Sequence, residues 1–107
     1  DESALALPAA AMAPGSVRPD FNRPREFLEQ FSLDTLRMVG TLRLQSRTYG
    51  LIQTQDGLVH RVLPGNRVGQ SDGKITAIEE GKISLIEIVT DGVGGFIERP
   101  AAIALSE

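Results

Sequence analysis

The sequence predicts an all-β domain, a small β-sandwich of about six to seven short strands, preceded by a disordered tether and a short helical turn. Three observations predict it. Ten of the 11 Gly lie between residues 40 and 95, where Asp56-Gly57, Asp72-Gly73, Glu80-Gly81 and Asp91-Gly92 mark turns at hairpin spacing. Between those turns, apolar and polar residues alternate with the period of two that a half-buried strand needs. Hydrophobic residues make up 41% of the 107-residue chain and charged residues 23%, the balance of one globular domain rather than of a disordered or membrane-spanning chain.

Residues 1–19, DESALALPAAAMAPGSVRP, hold six Ala and three Pro. The prolines are too closely spaced for a stable helix between them, and little here can pack, so the segment reads as a flexible tether. Residues 20–37 differ. Phe21, Phe27 and Phe31 are three of the four Phe in the chain. Pro24 suits the first turn of a short helix, and Phe27, Leu28 and Phe31 fall along one side of it. Ser32 to Leu36 reads as a further capped turn. This segment either caps the domain core or docks on a partner, for which Phe21, Arg25, Phe27, Leu28 and Phe31 are the candidate contacts.

Residues 38–105 are the predicted sandwich. Strands are expected at Met38 to Leu44, Thr48 to Thr54, Leu58 to Leu63, Lys74 to Glu79, Lys82 to Val89 and Gly95 to Leu105, with a seventh near Asn66 to Val68. In the first, Leu42 and Leu44 point one way and Thr41 and Arg43 the other, a pattern that buries one face and presents the other. Ile83 to Val89 is apolar on both faces and belongs in the middle of a sheet. Pro100 places the last strand at an edge or bulge.

Composition excludes much chemistry. There is no Cys and one His, His60, so disulfides, thiolate sites and multi-imidazole zinc sites cannot form within one chain. No apolar run is long enough to span a bilayer. Gly65, Gly69 and Gly73 with Lys74 fail as a phosphate loop, because Val68 and Ile75 stand where Gly and Ser or Thr are required. His60 with Asp56 and Ser46 or Ser71 lacks a nucleophile-elbow context. An enzyme is therefore not expected, and neither catalytic residues, metal ligands nor a cofactor are assigned. Two binding classes remain. A small nucleic-acid-binding β-barrel is the alternative, but the net charge of −3 and a β region with only Tyr49 and Phe96 as aromatics argue against it. A tethered protein-interaction module fits better. Its best candidate surface is the first strand, an open edge presenting Thr41, Leu42, Arg43 and Leu44, with Arg43 and Arg47 placed to pair with acidic groups of a partner.

The run FNRPREFLEQFSLDTLRMVGTL, followed by YGLIQTQDGLVHRVLPGNRVGQSDGKITAIEEGKISLIEIVTDGVGGFIERPAAIAL, resembles the PilP family of type IV pilus assembly lipoproteins. The match runs over about residues 20–105, through LD-x-L-x-MVGTL, DG-x-VHRV-x-x-GN-x-x-G and IVxDGxGGxxERPA. The resemblance implies a periplasmic β-sandwich similar to the homology region of type II secretion inner-membrane proteins. It also implies a connector role, with the PilN–PilO pair and the N-terminal part of the secretin PilQ as partners and no nucleic acid. Family members attach to the inner membrane through a lipid on an N-terminal Cys. With no Cys in this chain, the anchor is expected upstream of Asp1.

Overall fold

A computed structural model describes residues 17–106, and two antiparallel sheets account for about half of them. The first sheet is a meander of β1 (Arg37–Leu44), β2 (Arg47–Gln53) and β3 (Val59–Val62). The second contains β4 (Arg67–Val68), β5 (Gly73–Ile78), β6 (Lys82–Thr90) and β7 (Phe96–Ala104), in that spatial order. All seven expected strands are present, each shifted by a few residues at most. β6 lies inside its sheet, between β5 and β7, and β7 carries Pro100 on the edge. The two sheets are also tied at the C-terminus. Leu105 bridges Met38 in parallel, and the Ser106 N–H donates to the Met38 carbonyl at 2.8 Å.

Alternation along the strands builds the core. Met38, Ile52 and Val62 point in from the first sheet, and Val68, Ile75, Ile83, Leu85 and Ile103 from the second. Two glycines permit the close approach. A Cβ on Gly50 would lie 2.7 Å from the Ile83 side chain, so this is where the two sheets touch. A Cβ on Gly73 would lie 2.5 Å from Leu85 and 2.7 Å from the Val68 carbonyl oxygen. The Asp72-Gly73 pair thus marks a hairpin with its roles exchanged. The left-handed residue is Asp72, at φ 53°, while Gly73 opens β5 because no side chain fits there.

Residues 20–36 close one end of the sandwich. The short helical turn expected inside 22–31 is a 3₁₀ turn, Phe27–Gln30, and a second, Leu33–Thr35, follows at the turn expected after Ser32, though the Ser32 side chain does not cap it. Leu28 and Leu36 join the core, with Phe31 and Leu33 packed against it. Backbone pairing seals the contact: the Gly69 N–H donates to the Leu28 carbonyl at 3.1 Å, and the Arg67 N–H to the Glu26 carboxylate at 3.0 Å. Of the two readings of this segment, core capping describes the position of Leu28 and Leu36. The expected tether falls almost wholly outside the described residues; only Val17 to Pro19 of it are placed, in irregular backbone.

A buried charge cluster pins the segment down. The Glu29 side chain is 1% exposed and that of Asp72 3%. Arg23 makes a two-pronged contact with Glu29 at 2.8 and 2.9 Å and reaches Asp72 at 2.9 Å. Arg25 donates to both carboxylates, and the Glu26 N–H donates to Glu29 at 2.8 Å. The Arg23 guanidinium, outweighing burial and helped by the Glu26 N–H and Arg25, holds the Glu29 carboxyl down to about 2. The same contacts push both guanidinium pKa values up.

β1 alternates as its sequence suggests, with Leu42 and Leu44 on one face and Thr41 and Arg43 on the other, and the leucines take the outer face. A bulge between Met38 and Gly40 shifts the register against β2. Met38, opposite Ile52, points into the core, but beyond the bulge Thr41 and Arg43 take the inner side and Leu42 and Leu44 turn outward.

Two expected outcomes test this account. The ordinary carboxyl value of Glu29 is 4.5 and its folded value about 2, so as pH falls the unfolded chain takes up this proton first. The contribution of Glu29 is complete above about pH 4.5 and is lost as pH falls toward 2. Urea unfolding across that window should show it, and Glu29→Gln should flatten the slope while costing about 3–5 kcal/mol at neutral pH. Separately, Gly73→Ala should cost about 2–3 kcal/mol through overpacking against a backbone oxygen. Gly81→Ala, whose Cβ meets nothing within 4 Å, should leave the thermal midpoint almost unchanged.

Candidate interaction surface

The bulge in β1 has built an apolar face on the outside of the first sheet. In an antiparallel pair, opposed residues share a face. Leu42 opposes Tyr49, Leu44 opposes Arg47, Leu51 opposes Arg61 and Gln53 opposes Val59. Leu42 is 37% exposed, Leu44 42% and Val59 50%. Arg61 lies over the Tyr49 ring, its guanidinium carbon 5.1 Å from the ring centroid, a cation–π contact that holds the arginine beside the ring. The strands β1, β2 and β3 contain no Asp or Glu.

Charge is divided between the two halves of the sandwich. Residues 37–62 carry four Arg and a single carboxylate, Asp56, while residues 73–104 carry three cations and five carboxylates. A formal net charge of −3 therefore hides a positive side.

The residues singled out from the sequence fall into two groups. Leu42, Leu44 and Arg47 stand together on the outer face, whereas Thr41 and Arg43 lie on the opposite side of β1, with Arg43 reaching Thr48 Oγ1 at 3.4 Å. Phe21, Arg25, Phe27, Leu28 and Phe31 lie on the capping segment. Phe21 is 74% exposed and Phe27 52%, Phe31 is half-buried, Leu28 is buried in the core, and Arg25 is engaged with Glu29 and Asp72. Leu28 is thus unavailable to a partner. Tyr49, Leu51, Val59 and Arg61 were missed. The alternation in β2 and β3 carries them, but only the bulged register of β1 shows that Leu42 and Leu44 join them.

His60 belongs to packing. Its ring lies 5.1 Å from that of Phe27, which in turn meets Phe31 edge-on at 5.5 Å. Its Nε2 lies 3.3 Å from Thr54 Oγ1, whose hydroxyl also donates to Asp56. The Thr54 hydroxyl and the Leu58 N–H hold the Asp56 carboxyl below its usual range, which fixes the β2–β3 turn. The N–H groups of Val93 and Gly95 do the same for Asp91 in the β6–β7 loop. Among the described residues no three His, Asp or Glu side chains gather to hold a metal ion. The ring of Tyr49 is occupied by Arg61, which weakens it as a base-stacking platform and disfavours the nucleic-acid alternative.

Comparison with known proteins agrees with this architecture. The family model for the pilus assembly protein PilP matches residues 2–105. A relative from Pseudomonas aeruginosa, the type IV pilus inner membrane component PilP, is 46% identical over 91 residues, 85% of this chain and 52% of that protein. The chain therefore spans about half the length of this relative. A domain of the type IV pilus biogenesis lipoprotein PilP from P. aeruginosa superposes with a TM-score of 0.75 at 46% identity, covering 82% of this chain and 100% of that one. The solution structure of P. aeruginosa PilP gives 0.75 at 44% identity, covering 89% and 85%. A domain of the PilP pilot protein of Neisseria meningitidis gives 0.65 at 36% identity, covering 89% and 83%. A family model running over nearly the whole chain, together with a shared sandwich at up to 46% identity, places this chain in the PilP family of pilus assembly proteins.

Proposed function

We propose that this chain is a periplasmic, non-catalytic connector of a type IV pilus machine, held at the inner membrane by an N-terminal lipid anchor. In this reading it links the inner-membrane PilN–PilO pair to the outer-membrane secretin PilQ. The observation that carries the proposal is an apolar, arginine-bearing outer face on a domain of the PilP family. Relatives described as an inner membrane component and as a lipoprotein support the membrane attachment. The side chains brought together here are suited to packing and to protein contact rather than to bond-making. Asp56 and Asp91 order turns, and His60 packs on Phe27.

The capping segment offers a second contact region. Its inner side is committed to the core, which leaves Phe21 and Phe27 exposed. Docking on the PilN–PilO pair would bury them, with a gain of up to about 1.5–3 kcal/mol each.

An amide NMR titration with the PilN–PilO periplasmic heterodimer, then with an N-terminal PilQ fragment, tests the connector role. Both should shift resonances, at separate places. No response to either would sink it. Phe21→Ala with Phe27→Ala should weaken PilN–PilO binding by about tenfold or more while the chain stays folded. Removing residues 1–31, by contrast, takes away Leu28 and the Arg23, Arg25 and Glu29 side chains, and should unfold the domain or lower its thermal midpoint sharply. A domain that keeps its stability without them would show that the capping contacts are dispensable.

A further inference from the structure

The outer face of β1–β3 supports a more specific statement about a partner, one that rests on the connector reading above. We propose that this face, rather than the β1 edge, docks the acidic and partly apolar surface of a partner protein. The edge is the weaker candidate. Leu105 and Ser106 already occupy its Met38 end, and the bulge next to Met38 interrupts the row of backbone groups that strand addition would need. What the bulge removes from the edge it adds to the face, by turning Leu42 and Leu44 outward beside Tyr49 and Leu51.

Charge complementarity selects the occupant. Arg37, Arg47 and Arg61 are the cations of the face, Arg37 beside Gln53 with its guanidinium on Ser106, and its strands hold no carboxylate to answer them. The guanidinium fork matches carboxylates, and stacking on Tyr49 pre-orients Arg61 before any partner arrives. The face is flat and shallow. Leu42, Leu44 and Val59 are 37–50% exposed and Tyr49 and Leu51 are half-buried beside them, a partly covered apolar surface that suits a second protein surface better than insertion several ångströms into a bilayer. Strands of eight, seven and four residues offer roughly 300 Å², well under the ~800 Å² per partner of a standard interface. The complex should therefore be transient, with its encounter rate and register set by charge and falling with added salt.

The test uses the whole chain with the PilN–PilO heterodimer and the PilQ fragment, at low and at physiological salt. Arg47→Glu with Arg61→Glu reverses the charge. Leu42→Gln with Leu44→Gln removes the apolar row without touching the core. Glu79→Lys with Glu80→Lys, on the other sheet's β5–β6 turn, is the control. For one of the two partners, shifts should centre on Leu42, Leu44, Tyr49 and Arg61. Each face variant should weaken that complex about tenfold or more, the control should not, and wild-type binding should tighten at low salt. Full affinity in both face variants, or shifts centred on β7, would overturn the inference and leave the connector role standing. Failure of both partners to bind the wild type would remove the connector role and this inference together. Vesicles of phosphatidylglycerol, and sedimentation of the chain alone, supply two further overturning results. These are face-dependent binding to lipid, or face-dependent self-association, with no protein partner competing.

Discussion

Glu29 and Asp72 are carboxylates with almost no access to water, and Arg23 and Arg25 meet both of them. Much of the domain depends on that meeting. A sandwich of three and four short strands leaves one end of its core open, and the chain closes it with Leu28 and Leu36 rather than with another strand. A seventeen-residue segment of irregular backbone has few ladder hydrogen bonds to hold it in place. The charge cluster supplies what the ladder does not, joining Arg23 and Arg25 to Asp72, nearly fifty residues away, and fixing Glu29 in its turn. Such a cluster is unforgiving. Removing one carboxylate leaves the largely buried Arg23 guanidinium short of a partner.

The bulge in β1 acts on the other side of the molecule. One extra residue reverses the facing of every side chain beyond it, so a strand that starts with Met38 in the core ends with Leu42 and Leu44 in solvent. Stability loses little, because the core is already filled by Met38, Ile52 and Val62 at that sheet. The gain is a two-row apolar surface that a regular strand of the same composition would have turned inward.

Much of the fold was legible in the sequence because its information was local. Asp56-Gly57 and Asp91-Gly92 announced turns, Ile83 to Val89 announced an interior strand, and Pro100 announced an edge. The Gln45-Ser46 turn was not legible. Both residues take positive φ, at 50° and 70°, without the Gly or Asn that usually signals it. The phase of the first 3₁₀ turn was also hidden. Four residues are too few for periodicity to say that Leu28 enters the core and Phe27 does not. The ion cluster joins residues nearly fifty positions apart, and the face depends on a bulge; neither leaves a mark in any short window.

The arrangement of charge follows from the same economy. A two-layer domain of this size has a thin core, so both sheets keep most of their outer faces in water, and each face can carry its own charge. Here the meander of β1–β3 holds four Arg with one carboxylate, and β5–β7 hold five carboxylates with three cations. Opposite signs on opposite layers attract weakly through the core, and each layer is screened on its own side within about a Debye length of ~8 Å. A partner approaching the first sheet therefore meets the field of its arginines, not the net charge of −3. This is how an acidic protein presents a basic surface.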